Sequence, residues 1–135
     1  MHAGRARSLF EHARVARLAT ADAGGVPHLV PVTFAVLGDD VVFAIDHKPK
    51  ATYDLRRLRN IRANPRVSLL ADHYDDDWTK LWWARADGTA TVREPGHDAA
   101  LRALAGKYEQ YRGRPPEGPV VVVAVSRWSG WAYAG

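Results

Sequence analysis

The hydrophobic pattern divides the chain into short apolar runs bounded by turn signals, interrupted three times by helical spacing. Residues 4–14 place Ala6, Leu9, Phe10 and Ala13 on one face, which predicts a short amphipathic helix. Residues 15–21 turn small and apolar before Asp22, Ala23, Gly24 and Gly25, a turn signal that predicts a hairpin. The second arm, residues 26–37, is long and β-branched but contains Pro27 and Pro31. Prolines four apart in an extended chain lack N–H groups on the same edge, so one side of this strand's first half is open. A docked ligand, a second subunit or a plain bulged edge each accounts for that opening.

Gly38, Asp39 and Asp40 form the next turn, and residues 41–46 form a short apolar strand. Leu55, Leu58 and Ile61 recur at threes, with Thr52 or Asp54 as a cap and Pro65 as a stop, which predicts a second helix. Residues 67–72 form another strand, residues 73–77 an acidic loop, and residues 78–86 a long aromatic strand that bends at Asp87-Gly88 and continues through 89–93. A third helix over 97–111 carries Ala100, Leu101, Leu104, Ala105 and Tyr108 on one face. The valine run 120–125 is continuously apolar, so it is expected to be buried on both faces. Arg127-Trp128-Ser129-Gly130-Trp131 follows as an aromatic hook. Five or six mostly antiparallel strands with three helices at strand crossings make a mainly β domain. A small barrel fits this pattern better than a doubly wound sheet, because alternating strand and helix units are absent.

Composition leaves that picture intact and narrows the chemistry. The 135 residues are 47% apolar and 25% charged, a globular composition for one domain spanning 1–135. There is no cysteine, which excludes disulfides, thiolate catalysis and zinc-thiolate sites. Glu11, His12 and Arg14 interrupt the apolar run a signal peptide requires, and no stretch has the length of a membrane span. These features place the chain in the cytoplasm. The six histidines, at 2, 12, 28, 47, 73 and 97, form no local metal motif, and no glycine-rich phosphate loop or nucleophile elbow is present. Any redox chemistry therefore belongs to a cofactor.

Net charge is +4, which suits an anionic partner. The charge concentrates between Lys48 and Arg66, where seven cations (Lys48, Lys50, Arg56, Arg57, Arg59, Arg62 and Arg66) face the single acid Asp54. On a helical wheel Arg57 sits at the shoulder of the apolar stripe, along the seam between helix and sheet, while Arg56 turns toward water. The helix N-terminus adds partial positive charge and free N–H groups. A solvated basic helix, a nucleic-acid contact and a phosphate site all remain open here. The five tryptophans, at 78, 82, 83, 128 and 131, exceed what a small core needs. Trp82 and Trp83 face opposite sides of a strand, so one of them meets a ligand, a partner or the outer helices.

The order of these parts resembles the FMN-binding split β-barrel, or pyridoxamine 5'-phosphate oxidase-like, superfamily. The resemblance is carried by residues 15–20 with the Gly24-Gly25 turn and Pro27, by Pro31-Val32-Thr33-Phe34, by the basic helix closing on residues 58–67, and by residues 86–90. Residues 76–83 with Lys48-Pro49-Lys50 look like the branch that uses the deazaflavin coenzyme F420. The resemblance implies a homodimer with the cofactor in a groove at the subunit interface. It further implies an oxidoreductase that exchanges hydride between F420, or alternatively FMN, and a small organic substrate. A flavin or tetrapyrrole binding protein without turnover would use the same groove. Carried over, Val32, Thr33 and Phe34 lie beside the ring, and Lys48, Lys50, Arg56 and Arg57 hold phosphate or the acidic tail. Trp78, Lys80, Trp128 and Trp131 border the pocket. Residues 125–131 lack the arginine-rich segment that true pyridoxamine-phosphate oxidases carry there, which argues against vitamin oxidation.

Overall fold

The computed structural model describes residues 1–45, 55–94 and 97–134. Seven strands form one antiparallel sheet in the order β2-β1-β5-β6-β7-β4-β3. They are β1 (Ala16–Ala21), β2 (Pro27–Val32), β3 (Ala35–Leu37), β4 (Asp40–Ala44), β5 (Arg66–His73), β6 (Trp82–Arg93) and β7 (Val120–Ala132). The two edge strands, β2 and β3, are joined by Thr33 and Phe34 alone. That link spans at most roughly 10 Å, so the sheet must curl until its edges meet. The result is a split barrel whose seam is crossed by the chain itself.

The expected arm 26–37 is therefore two strands, separated where it steps across the seam. The hairpin before it forms as predicted. Asp22 Oδ1 accepts from the Gly24 and Val26 amides, each at 2.9 Å, and Gly25 takes the positive φ of +84° that its lack of a Cβ permits. Pro27 and Pro31 lie on β2, an edge strand, as their missing donors require.

The barrel interior alternates along each strand. Ala16 and Leu18 from β1, Leu69 and Ala71 from β5, and Val41 and Phe43 from β4 are all buried. On β6 the inward positions Ala84, Ala86 and Ala90 are small. They leave room for α1 (Ala3–His12), which packs against β6 and β7 and drives Phe10 into the core. α2 (Arg56–Ala63) faces inward through Leu58, Asn60 and Ile61. Its buried Asn60 Nδ2 donates to Thr20 Oγ1 at 3.1 Å, fixing the helix to β1. The outer face of Val120 and Val122 is covered by α3 (Asp98–Lys107) through Ala100 and Leu104. Burial on both faces holds for Val120 through Val123, but the run expected over 120–125 stops there: Ala124 is exposed and Val125 half-buried.

Three further expectations are corrected. Trp78–Lys80 is a 3-10 turn, not strand, because Asp77 caps it: its Oδ1 accepts from Thr79 N and Oγ1 at 3.1 and 2.6 Å. Those two bonds also hold the Asp77 carboxyl below its usual range. The helix expected over 97–111 breaks at Tyr108, whose extended backbone (φ −121°, ψ 122°) separates α3 from α4 (Glu109–Gly113). The aromatic hook is the second half of β7, paired to β6 as far as Trp82 opposite Ala132. The register shifts between Asp87 and Gly88, and the extra residue is Ser126 on β7. Thr52 and Asp54, the caps expected for α2, lie outside the described residues; Leu55 occupies the N-cap position and makes no side-chain capping bond. Among the described residues no helix is long and apolar enough to cross a membrane.

Candidate functional site

Where the chain crosses the seam it leaves a cleft of about 260 Å³, lined by Val15, Pro31, Val32, Thr33, Ala44 and Arg57. Each lining group is delivered by a different constraint. Val32 is the last residue of β2 and Thr33 begins the crossing. Ala44 ends β4, and Arg57 lies on α2 next to the buried Leu58. The Asn60–Thr20 bond and the burial of Leu58 and Ile61 set the rotation of α2, and so set where Arg57 points. The arrangement offers an apolar wall beside a guanidinium, which suits a flat ring carrying an anionic group. The volume lies below the ~300–1,000 Å³ of closed small-molecule pockets. The described residues of one chain therefore enclose only part of a cofactor-sized ligand.

Three of the residues expected at the site, Val32, Thr33 and Arg57, are brought together here. Phe34 follows them but points inward: it is fully buried, with its ring 4.6 Å from that of Phe10. Arg56 is exposed at the start of α2. Lys48 and Lys50 lie outside the described residues. Trp78 and Lys80 are exposed on the 3-10 turn between β5 and β6. Trp128 packs edge-on against Phe10 at 5.3 Å. Trp131 pairs with Trp83 across β6 and β7 and remains 45% exposed. The tryptophans do not line this cleft within one chain. Val15, Pro31 and Ala44 were not expected as lining residues. Pro31 carried a signal, the open edge; Val15 and Ala44 read only as ordinary strand positions.

A broader hollow of about 580 Å³ lies on the outer sheet face, lined in part by Ala19, Pro27, Arg66, Ser68, Asp87 and Ser126. Its acid is already engaged, since Asp87 accepts from Ser68 Oγ at 2.5 Å and from Arg85 Nε at 3.1 Å. The smaller cleft instead sets an apolar wall beside the Arg57 guanidinium. Among the described residues no cluster of three metal-ligating side chains occurs.

On the other side of the crossing a second cleft of about 370 Å³ is lined by residues including Glu11, His12, Arg14, Ala35 and Lys107. The Lys107 ammonium donates to Glu11 O at 3.0 Å and stands 3.7 Å above the Phe34 ring. Burial, then the neighbouring Arg14 charge, lower its pKa to about 8, opposed in part by Glu11. The unfolded lysine holds its proton to 10.5. Above pH 8 the unfolded chain thus binds more protons than the folded one, and stability rises with pH through that window. Tyr108, the nearest phenol, is pushed upward, mainly by burial, and so stays protonated there. Urea midpoints taken at about pH 7.5 and about pH 9.5 should rise more in the wild type than in Lys107→Met. Equal rises would refute the linkage.

The comparisons with known proteins follow the fold. The family described as pyridoxamine 5'-phosphate oxidase matches residues 3–132. No curated protein sequence matches the chain. Among solved structures, a conserved hypothetical protein of Mycobacterium tuberculosis aligns with a TM-score of 0.78 at 19% identity, covering 98% of this chain and 86% of that one. An FAD-binding protein of Mesorhizobium loti aligns at 0.72 and 20% identity, covering 96% and 94%. A heme storage protein of Vibrio cholerae, HutZ, aligns at 0.68 and 18% identity, covering 98% and 95%. At such identities these likenesses establish the shared fold.

Proposed function

The chain belongs to the pyridoxamine 5'-phosphate oxidase family, and from that premise we propose that it is an oxidoreductase using coenzyme F420, with FMN as the alternative cofactor. The observation that carries the reading is the convergence of Val32, Thr33 and Arg57 in one cleft at the seam. The basic stretch with Lys48 and Lys50 stands in the sequence between Ala44 and Arg57, both of which line that cleft. The donor set fits such a cofactor: apolar groups for the ring and cations for its phosphate and acidic tail. When bound, the deazaflavin or flavin accepts or gives hydride. The protein's own part is to hold the ring against Val15, Val32 and Ala44, to fix the anionic portion with Arg57, and to exclude water from the reacting face. A small organic molecule is the substrate class this chemistry requires.

The cofactor groove is completed by a second copy of the chain. Support for this comes from the incomplete cleft, from the open edge of β2 and from the apolar side chains on the sheet's outer face. Leu29 is 67% exposed there and Leu70 is 37% exposed, on the two strands that flank β1, β2 and β5, and on one face of the sheet. Trp78, Lys80 and Trp131 are then the groups available to border the cleft from across the interface, while Trp128 supports it from within the barrel. Sedimentation of the purified protein should give a dimer at micromolar concentration; a monomer would remove this part of the reading.

The cofactor assignment is tested by titrating F420 and FMN separately and following fluorescence. Saturable binding of F420 with turnover of a hydride acceptor supports the first choice. The relatives described as FAD-binding and heme storage proteins favour a second reading, a flavin or tetrapyrrole carrier. Saturable binding without turnover would select it. Arg57→Gln and Lys50→Gln are each expected to weaken cofactor binding by ~1–3 kcal/mol. Unchanged affinity in both would remove these residues from the site.

A further inference from the structure

The crossing that walls the candidate cleft is held from behind by α3 and α4, and the bonds that hold it converge on two tyrosines. Tyr108 Oη donates to Arg14 O at 2.9 Å and accepts from the Phe34 amide at 3.2 Å. It thereby ties the segment before β1 to the crossing between β2 and β3. Tyr111 Oη is hydrogen-bonded to Thr33 Oγ1 at 2.8 Å. The two phenol rings support each other edge to face, with centroids 5.8 Å apart. Their placement depends on the break at Tyr108. An uninterrupted helix would carry residues 108 and 111 along one continuous helical face, whereas the extended residue resets the direction of α4. Two cations then lock this corner to α1. Arg14 donates to Lys107 O at 3.0 Å while Lys107 donates to Glu11 O at 3.0 Å. Each cation thus satisfies a carbonyl at the other element's helix end, where positive charge is favoured.

Every atom that the two tyrosines bond belongs to a residue lining the cleft or adjacent to one. Thr33 lines it, Phe34 follows Thr33, and Arg14 precedes the lining residue Val15. Without these bonds the backbone of this two-residue link between two sheet edges would lose its tethers to Tyr108 and Tyr111, and its spacing from Arg57 would rest on the burial of the Phe34 ring. We propose that Tyr108 and Tyr111 are positioning residues for the cofactor cleft, holding the Thr33–Phe34 crossing at the spacing from Arg57 that a bound ring requires. The proposal rests on the cofactor reading above, and it assigns to α3 and α4 a role in binding that neither helix fulfils by contact.

The test uses Tyr108→Phe and Tyr111→Phe, which keep the rings and remove only the hydroxyls, with the exposed Tyr133→Phe as control. Amide exchange of the cofactor-free protein is followed by NMR, and F420 and FMN affinities by fluorescence. Tyr108→Phe is expected to speed exchange at the Phe34 amide about tenfold, and each variant to weaken cofactor binding about 5- to 10-fold, while Tyr133→Phe changes neither. Unchanged Phe34 exchange in Tyr108→Phe overturns the proposal. So does a variant that loses thermal stability yet binds cofactor as the wild type does, since that is the signature of a merely structural bond. If the wild type binds neither cofactor, the functional reading fails and the cleft role fails with it. The exchange result then still decides whether Tyr108 holds the crossing.

Discussion

Replacing Phe34 with alanine is expected to destabilise the protein by about 3–5 kcal/mol, the range for deleting a fully buried aromatic ring. Phe34 is completely enclosed. Its ring meets Phe10 from α1 at 4.6 Å and carries the Lys107 ammonium at 3.7 Å on its face. Three consequences therefore combine. The transfer free energy of the ring is lost, a cavity opens between α1 and the crossing, and a half-buried ammonium loses its aromatic partner. Collapse into the cavity is resisted because the crossing is tethered at both Thr33 and Phe34 N. The loss should therefore fall in the upper half of the range. A urea titration by tryptophan fluorescence measures it. Trp128, which packs edge-on to Phe10 at 5.3 Å, reports directly on that side of the core. Phe34→Leu, which refills much of the volume, should recover more than half of the loss. If Phe34→Ala costs less than about 1 kcal/mol, the ring is not the plug of the seam that its burial implies.

Phe34 also illustrates what the sequence could and could not reveal. The arm containing it reads as one β-branched strand from Val26 onward, because local pattern records which positions are apolar and not where a strand changes partner. The partner changes at Thr33, where the chain leaves β1 and must reach β4, a choice made by sheet closure over the whole domain. Pro27 and Pro31 did announce an edge, since a missing donor is a local property. The same distinction explains the other differences. Asp77 caps a 3-10 turn through its own loop, and the aromatic positions at Trp78 and Trp82 hid the boundary between that turn and β6. Tyr108 has the spacing of a helix face, but its phenol is engaged by Arg14 O and Phe34 N. Only the fold brings those two groups within reach of one hydroxyl. Arg57 was legible because helical geometry alone fixes its angle to the Leu58 and Ile61 stripe. Its cleft partners Val15 and Ala44 were not, because they are strand ends of ordinary composition, selected by proximity.

Gly88→Val is expected to cost roughly 3 kcal/mol or more, for a reason separate from the core. A Cβ at position 88 would run into the backbone of β7, meeting the Ala124 carbonyl oxygen, the Ala124 carbonyl carbon at 3.0 Å and Val123 Cγ1 at 3.0 Å. Backbone in the middle of a paired strand cannot move aside without breaking ladder hydrogen bonds on both of its edges, and β7 is paired to β4 as well as to β6 here. The close approach exists because Ser126 is inserted into β7 opposite the Asp87-Gly88 step, and its Oγ donates to Asp87 O at 3.1 Å. The extra residue increases the local bend, in the strand pair that runs through both halves of the barrel. Any side chain at position 88 would force the strands apart at that bend. Position 106 supplies the contrast. Gly106 lies in α3, and a methyl group there would have nothing within 4 Å, so Gly106→Ala should be neutral or stabilise by up to about 1 kcal/mol. Thermal unfolding of the two variants should therefore shift the midpoint in opposite directions or leave Gly106→Ala unmoved. A Gly88→Val protein as stable as the wild type would mean that β6 and β7 do not approach at the bulge, and the curvature that closes the barrel would then need another source.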